Sequence, residues 1–164
     1  MQKIKTKTLT TIIALILLSS MAISAFSIST ANAQGSLKTY AYVGATPNPV
    51  GVGQQTVIRL GITDQLAAPR YGWEGLKVTI THPDGTNETL GPFRTDATGG
   101  SYTIYTPTVA GNYTLQSFFP QQTNPAAINS NGLVIPTGAT MLASSSESVI
   151  LSVQTEPILS YQTQ

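Results

Sequence analysis

The sequence contains no cysteine and only one histidine, His82, among its 164 residues. The absence of cysteine excludes a disulfide framework, thiolate zinc ligands and a cysteine nucleophile. One histidine is too few for a multi-histidine metal site within one chain. Charge is scarce as well, because 9% of the residues are charged where about 25% is usual in a globular domain. This composition excludes coiled coils and basic nucleic-acid-binding arms, and it argues against a helix-rich cytoplasmic enzyme.

No recognisable catalytic motif surrounds His82. It immediately precedes the proline of a turn sequence at residues 82–85 (HPDG), and the sequence contains no G-x-S-x-G nucleophile elbow. Glycoside hydrolysis requires two carboxylic acids beside one cleft, and nothing in the sequence indicates that Glu74 and Glu88 form such a pair. Five carboxylates could in principle bind calcium: Asp64, Glu74, Asp84, Glu88 and Asp96. They do not follow the D-x-D-x-D-G spacing of a calcium-binding loop. We therefore predict no catalytic residues, no metal site, no cofactor and no enzymatic activity.

Residues 1–33 have the form of an export signal. Three lysines lie within the first seven residues, an apolar run follows at residues 12–18 (IIALILL), and small residues end the segment at 31–33 (ANA). We predict cleavage between Ala33 and Gln34 after Sec-type export, which places the protein outside the cell or on its surface. The alternative is that the segment remains as a membrane anchor.

Cleavage would change the charge balance. Without the three lysines of the signal, five basic residues face seven acidic ones, a net charge of −2. The apparent basicity of the chain therefore belongs to the signal, and we predict no nucleic-acid partner. Membrane contact is expected only through an uncleaved signal segment.

Residues 34–155 are predicted to form one all-β domain, a single antiparallel β-sandwich after the N-terminal signal helix. Apolar residues alternate with polar ones in short runs between turn sequences. One apolar face per strand implies two sheets packed face to face. The predicted strands, with the core side chains each offers, are 37–45, 56–63 (Ile58, Leu60, Ile62), 76–81 (Leu76, Val78, Ile80), 101–106 (Tyr102, Ile104), 112–119 (Tyr113, Leu115) and 148–154 (Val149, Leu151, Val153). Residues 156–164 are predicted to be a linker or a disordered tail.

Three segments, at 47–64 (PNPVGVGQQTVIRLGITD), 73–90 (WEGLKVTITHPDGTNETL) and 95–120 (TDATGGSYTIYTPTVAGNYTLQSFFP), carry a family resemblance. Together they resemble an immunoglobulin-like module of secreted prokaryotic surface proteins, closest to the N-terminal segment of archaeal proteins that continue into a PQQ-type β-propeller. The resemblance implies an Ig-like fold with Tyr113 as its tyrosine corner. No blade repeat is present up to Gln164, so we expect no propeller function of this chain itself.

Aromatic residues supply the candidate ligand contacts. Trp73, the single tryptophan, and the nearby Tyr71 could stack on sugars or on a partner, although the core is the favoured place for Trp73. Tyr40 and Tyr42 form a second candidate patch on the first strand, if they point outward. Residues 120–140 form a long polar segment containing an apolar stretch (GLVIP), which is either a binding loop or an insertion.

Two sequons, Asn87-Glu88-Thr89 and Asn112-Tyr113-Thr114, make Asn87 and Asn112 candidate N-glycosylation sites.

These features predict a non-catalytic secreted or cell-surface module for adhesion, envelope structure or domain spacing. Its expected partners are cell-envelope glycans or other surface proteins. Two alternatives remain: a carbohydrate- or ligand-binding module, and an accessory N-terminal domain of a larger propeller-bearing surface protein. Exposed strand edges could also pair with another chain.

Overall fold

The chain folds through short strands, seen in a computed structural model that describes residues 35–130 and 133–159. The predicted signal segment and its cleavage site between Ala33 and Gln34 lie outside the described residues. Within them there is no helix, and therefore none able to cross a membrane. The strands are β1 (Ser36–Leu37), β2 (Ala41–Thr46), β3 (Val50–Gly51), β4 (Thr56–Ile62), β5 (Leu76–Thr81), β6 (Asn87–Phe93), β7 (Gly100–Tyr105), β8 (Gly111–Phe119), β9 (Gln122–Thr123), β10 (Ile128–Ser130), β11 (Leu133–Ile135), β12 (Thr140–Met141), β13 (Ser144–Ser145) and β14 (Val149–Gln154).

Two main sheets form the sandwich. The three-stranded sheet has the order β2-β4-β7, and the six-stranded sheet has the order β3-β14-β8-β5-β6, with β13 also paired to β8. The consecutive strands β2 and β3 belong to different sheets: β2 runs antiparallel to β4 in one, and β3 runs parallel to β14 in the other. This arrangement corresponds to strands A-B-E and A′-G-F-C-C′ of an immunoglobulin-like sandwich, so the predicted fold class is confirmed.

The core lies between the two main sheets, where the period-2 pattern places the apolar side chains. In β4, β5 and β8 the predicted inward residues are buried. The Trp73 ring packs edge-on against Phe119, with ring centroids 5.7 Å apart. The residues with no exposed surface include Ile58, Leu60, Ile62, Leu76, Val78, Ile80, Tyr113, Leu115 and Leu151.

The prediction for β7 was wrong in its phase. Tyr102 and Ile104 point outward, with 68% and 55% of their surface exposed. Thr103 lies opposite the buried Ile58 of β4, and Tyr105 lies opposite the buried Thr56. Because directly paired residues share a face, the less apolar set of β7 faces the core. β7 is an edge strand, where the core demands less apolar surface than at the centre of a sheet.

The strands predicted from the sequence did not include β6. Two segments that were expected to be irregular, residues 120–140 and the C-terminal tail from residue 156, make defined contacts. β9 to β12 all fall within residues 120–141, and Ile128 and Met141 of that segment are fully buried. The start of the C-terminal tail is held by Gln54: the Ile158 N–H donates to Gln54 Oε1 at 2.8 Å, and Gln54 Nε2 donates to the Ile158 carbonyl at 3.0 Å.

Candidate functional site

The outer face of the three-stranded sheet carries an open groove of about 860 Å³. Its floor consists of side chains from all three strands, and the segment after β6 forms one wall. Antiparallel sheets commonly present polar residues to solvent, so aromatic and aliphatic side chains on this face are unusual. We call this surface the tyrosine groove; it is lined by Tyr42, Val57, Arg59, Arg94, Thr95, Asp96, Gly100, Ser101, Tyr102 and Ile104.

Glycines decide how Tyr42 lies in the groove. Gly61 of β4 is directly opposite Tyr42, and Gly100 of β7 is directly opposite Gly61. A Cβ atom added at Gly61 would lie 2.6 Å from Tyr42 Oη and 2.8 Å from Tyr42 Cζ, and one at Gly100 would lie 3.3 Å from Tyr42 Oη. The phenol ring therefore extends across β4 over the space that the glycines leave, while 39% of the residue stays exposed.

Arg59 and Asp96 provide the charge in the groove. Arg59 is exposed opposite Tyr102, and it makes no hydrogen bond or ion pair with any residue that the structure describes. Asp96 Oδ1 accepts hydrogen bonds from the Thr98 hydroxyl (2.6 Å) and amide (2.9 Å) and from the Gly100 amide (3.3 Å). The Thr98 hydroxyl is the main cause that lowers the pKa of Asp96, so this carboxylate is charged at neutral pH.

The Tyr42 phenol responds to both charges. Burial, followed by the negative charge of Asp96, raises the pKa of Tyr42, and the positive charge of Arg59 opposes that shift. Tyr42 is therefore a neutral hydroxyl at physiological pH, able to donate and to accept a hydrogen bond.

The wall of the groove is fixed by Arg94. Its Nε lies 2.9 Å from Glu74 Oε1, and its guanidinium donates to the Arg70 carbonyl at 3.0 Å. Arg70 in turn places its guanidinium over the Tyr71 ring, 4.9 Å from the centroid. Tyr71 thus has one face covered by its neighbour, and it is not among the residues that line the groove.

Trp73 corrects one sequence-based candidate. It has no exposed surface, and its Nε1 donates to the Asp64 carbonyl at 2.8 Å. A ring packed against Phe119 in the core cannot stack on a ligand, so Trp73 is a core residue and not a ligand contact.

The remaining candidates lie outside the groove. Tyr113 Oη donates to the Val109 carbonyl at 2.9 Å, which is the tyrosine-corner contact. His82 Nε2 lies 3.3 Å from Glu88 Oε2. No group of three or more potential metal ligands occurs among the described residues.

Both sequon asparagines are exposed on the outer face of the six-stranded sheet. Thr81 of β5 is paired with Asn87 on one side and with Thr114 on the other, and Asn112 precedes Thr114 by two residues on β8. Thr81 Oγ1 donates to Asn87 Oδ1 at 2.7 Å, and Ser152 Oγ donates to Asn112 Oδ1 at 3.3 Å.

Comparison with known proteins adds two solved structures. No protein-family model matches the chain, and no curated protein sequence matches it. The solution NMR structure of the CARDB domain of a Pyrococcus furiosus protein is similar over 72% of this chain and 95% of that domain, at 17% identity and a TM-score of 0.35. The crystal structure of that CARDB domain in complex with di-metal ions covers 72% of this chain and 94% of its own, at 15% identity and a TM-score of 0.34. The fold of the present chain is assigned from its own strand order.

Sequence reasoning placed Tyr42 in a candidate patch but assigned Tyr102 and Ile104 to the core. A usable signal was present in the strands themselves. Gly61 and Gly100 occupy outward positions of strands, where glycine is disfavoured unless backbone or another group must approach closely. Aligning these two glycines across β4 and β7 would have indicated a groove on this face.

Proposed function

We propose that the chain is a non-catalytic, Ig-like extracellular module that binds a glycan in the tyrosine groove. The observation that carries this proposal is the combination on a single sheet face of two exposed tyrosines, Tyr42 and Tyr102, with the Arg59 guanidinium, which has no ion pair among the described residues. A binding module, unlike an enzyme, requires no acid–base pair at this surface.

A sugar suits this surface for a physical reason. The C–H groups on one side of a pyranose ring carry a slight positive charge, and they pack on the negative face of an aromatic ring. Sugar hydroxyls can exchange hydrogen bonds with Arg59, Asp96 and the neutral phenol of Tyr42. The open shape of the groove admits a chain of sugars rather than enclosing a single small molecule.

Arg59 narrows the class of sugar. A guanidinium forms its strongest hydrogen bonds with carboxylate or phosphate groups, which it binds through two parallel N–H donors. Arg59 forms no ion pair among the described residues, although Asp96 lines the same groove. Its guanidinium is therefore available to a carboxylate of the ligand, which favours a polysaccharide containing uronic acids. Acidic envelope polymers of this kind match the expected cell-surface location and an adhesive role.

The test compares polygalacturonate with neutral dextran as ligands of the full chain, measured by isothermal titration calorimetry. We expect binding of the acidic polymer, and we expect Tyr102→Ala to weaken it about tenfold, equivalent to about 1.4 kcal/mol. Arg59→Gln should remove the preference for the acidic polymer over the neutral one.

Phe118→Ala is the matched control, because Phe118 is an aromatic residue with 44% exposure on the outer face of the other sheet. Its binding should equal that of the unaltered chain. Equal losses in Tyr102→Ala and Phe118→Ala, or no binding of either polymer, would reject the proposal.

A further inference from the structure

Three of the four edges of the two main sheets are protected against pairing with another strand. β3 is only two residues long and follows two prolines. β6 contains Pro92 and a register irregularity against β5. β2 lies close to β8, β13 and β14 of the other sheet, and the Thr39 hydroxyl just before it is hydrogen-bonded to the Leu142 carbonyl and the Ser144 hydroxyl. Short strands, prolines, bulges and coverage are the usual devices that prevent edge-to-edge association.

Among the described residues, β7 has none of these devices from Ser101 to Tyr105; only its first residue, Gly100, is covered, by Asp96. Its sequence, GSYTIY, has no charge, no proline and no irregularity in its pairing with β4. Among the described residues the strand pairs only with β4, and its exposed side chains, Tyr102 and Ile104, are large and uncharged. An uncharged edge with aromatic and β-branched residues is favourable for strand addition.

The hydrogen-bond pattern identifies which groups of β7 are available. The Ile62 N–H donates to the Gly99 carbonyl, so residues 99, 101, 103 and 105 direct their backbone groups toward β4. Residues 100, 102 and 104 direct theirs to the edge. Asp96 N–H already donates to the Gly100 carbonyl at 2.9 Å. Among the described residues, the N–H and C=O groups of Tyr102 and Ile104 therefore have no partner.

We propose that β7 pairs antiparallel with β7 of a second copy of this chain, with Thr103 of each copy at the two-fold axis. In this register Tyr102 of one copy lies opposite Ile104 of the other. The unpaired backbone groups of these two residues then form four hydrogen bonds across the seam. Each aromatic side chain meets a β-branched one, a favourable cross-strand pair, and no like charges face each other.

The pairing joins the two three-stranded sheets into one continuous sheet. Tyr102 would gain Ile104 of the second copy as a neighbour on the outer face, so the two tyrosine grooves would merge into one surface. The merged surface could contact one polymer chain at two places, which increases avidity without new contacts. This consequence depends on the proposed function, whereas the pairing itself does not.

Cysteine cross-linking of the full chain tests the register, because the protein has no cysteine of its own. Residues facing each other at a non-hydrogen-bonded pair have Cα atoms about 4.5 Å apart, within the range of a disulfide. Under copper–phenanthroline oxidation, Thr103→Cys should form a disulfide-linked dimer about tenfold faster than Thr108→Cys, whose exposed loop position reports random collision.

Ser101→Cys distinguishes the register further, because residue 101 would face residue 105 of the second copy. It should cross-link no faster than Thr108→Cys, and Ile104→Lys added to Thr103→Cys should abolish the rapid reaction. Equal rates at positions 103 and 108, or faster reaction of Tyr102→Cys than of Thr103→Cys, would overturn the proposal. No glycan takes part in this assay, so its result and the binding result are independent.

Discussion

The carboxylate of Asp64 lies in surroundings that disfavour its negative charge. Its carbonyl accepts the indole hydrogen bond of Trp73, which holds the residue near the core. Its carboxylate Oδ2 is buried and has no hydrogen-bond partner among the described residues. Burial consequently raises the pKa of Asp64 above its ordinary value of 3.8. A buried acceptor without a donor costs free energy, more so when it carries charge.

Asp64→Asn should therefore stabilise the protein at neutral pH. The folded state binds the Asp64 proton more tightly than the unfolded state does, so the unfolding free energy falls as pH rises from about 3.8 through the folded pKa. The amide variant does not titrate and avoids this loss. In urea unfolding, the variant should be the more stable at pH 7, and its advantage should disappear at pH 3. An advantage that is the same at both pH values would contradict this explanation.

Trp73 and Tyr102 show what the sequence reveals about single residues. Hydrophobicity alone does not distinguish a core aromatic from an exposed one, because both are apolar residues beside or within a strand. Trp73 was correctly favoured as a core residue since an apolar strand follows it. Tyr102 was misplaced because its neighbours Ser101 and Thr103 made the opposite face of β7 look like the solvent face. The deciding information is the pairing with β4, which is not local in sequence.

Among the strands, β4 is the one that shapes the tyrosine groove. Gly61 and Arg59 are both outward residues of this strand, and they pair with Tyr42 and Gly44 of β2. A side chain at Gly61 would collide with the Gly99 carbonyl and with the Tyr42 phenol, whereas a Cβ atom at Gly44 would meet nothing within 4 Å. Two glycines of one sheet face thus have different physical roles.

The variants Gly61→Ala and Gly44→Ala form a matched pair. Gly61→Ala should destabilise the protein by about 1–3 kcal/mol, because the added methyl group has no room. Gly44→Ala should be neutral or stabilising by about 0.5 kcal/mol, since alanine loses less backbone entropy than glycine on folding. Urea unfolding of both variants measures these changes. Equal effects at the two positions would show that crowding at Gly61 is not what requires glycine there.

Strand prediction succeeded for central strands, in which apolar and polar residues alternate clearly, and failed for the edge strands β6 and β7, in which this alternation is weaker. β4 and β5 alternate cleanly because both are central strands with one buried face. β6 contains Gly91 and Pro92, which normally argue against a strand, and its position at a sheet edge is what permits them. The groove depends on which strands are neighbours and in which register, so its residues could not be assembled from local patterns.

At the scale of the whole molecule, the two outer faces of the sandwich have different chemistry. The three-stranded sheet carries the tyrosine groove, with aromatic, aliphatic and charged side chains. The six-stranded sheet exposes mainly polar residues, among them threonines of β5 and β8 and the two sequon asparagines, together with Phe118 and Ile150. The sequons and the groove are therefore on opposite sides of the sandwich, so glycans on Asn87 and Asn112 would leave the groove open.

This separation predicts the outcome of glycan removal. The protein recovered from an exporting host that glycosylates N-x-[ST] sites should exceed its sequence mass, and Asn87→Gln and Asn112→Gln should each remove one increment in intact-mass spectrometry. Polygalacturonate binding should be the same for both variants and the unaltered chain, because neither asparagine lines the groove. The intact mass also shows whether the chain begins at Gln34. A mass equal to that of the bare sequence in such a host would refute glycosylation, and a change in binding would refute the division between the two faces.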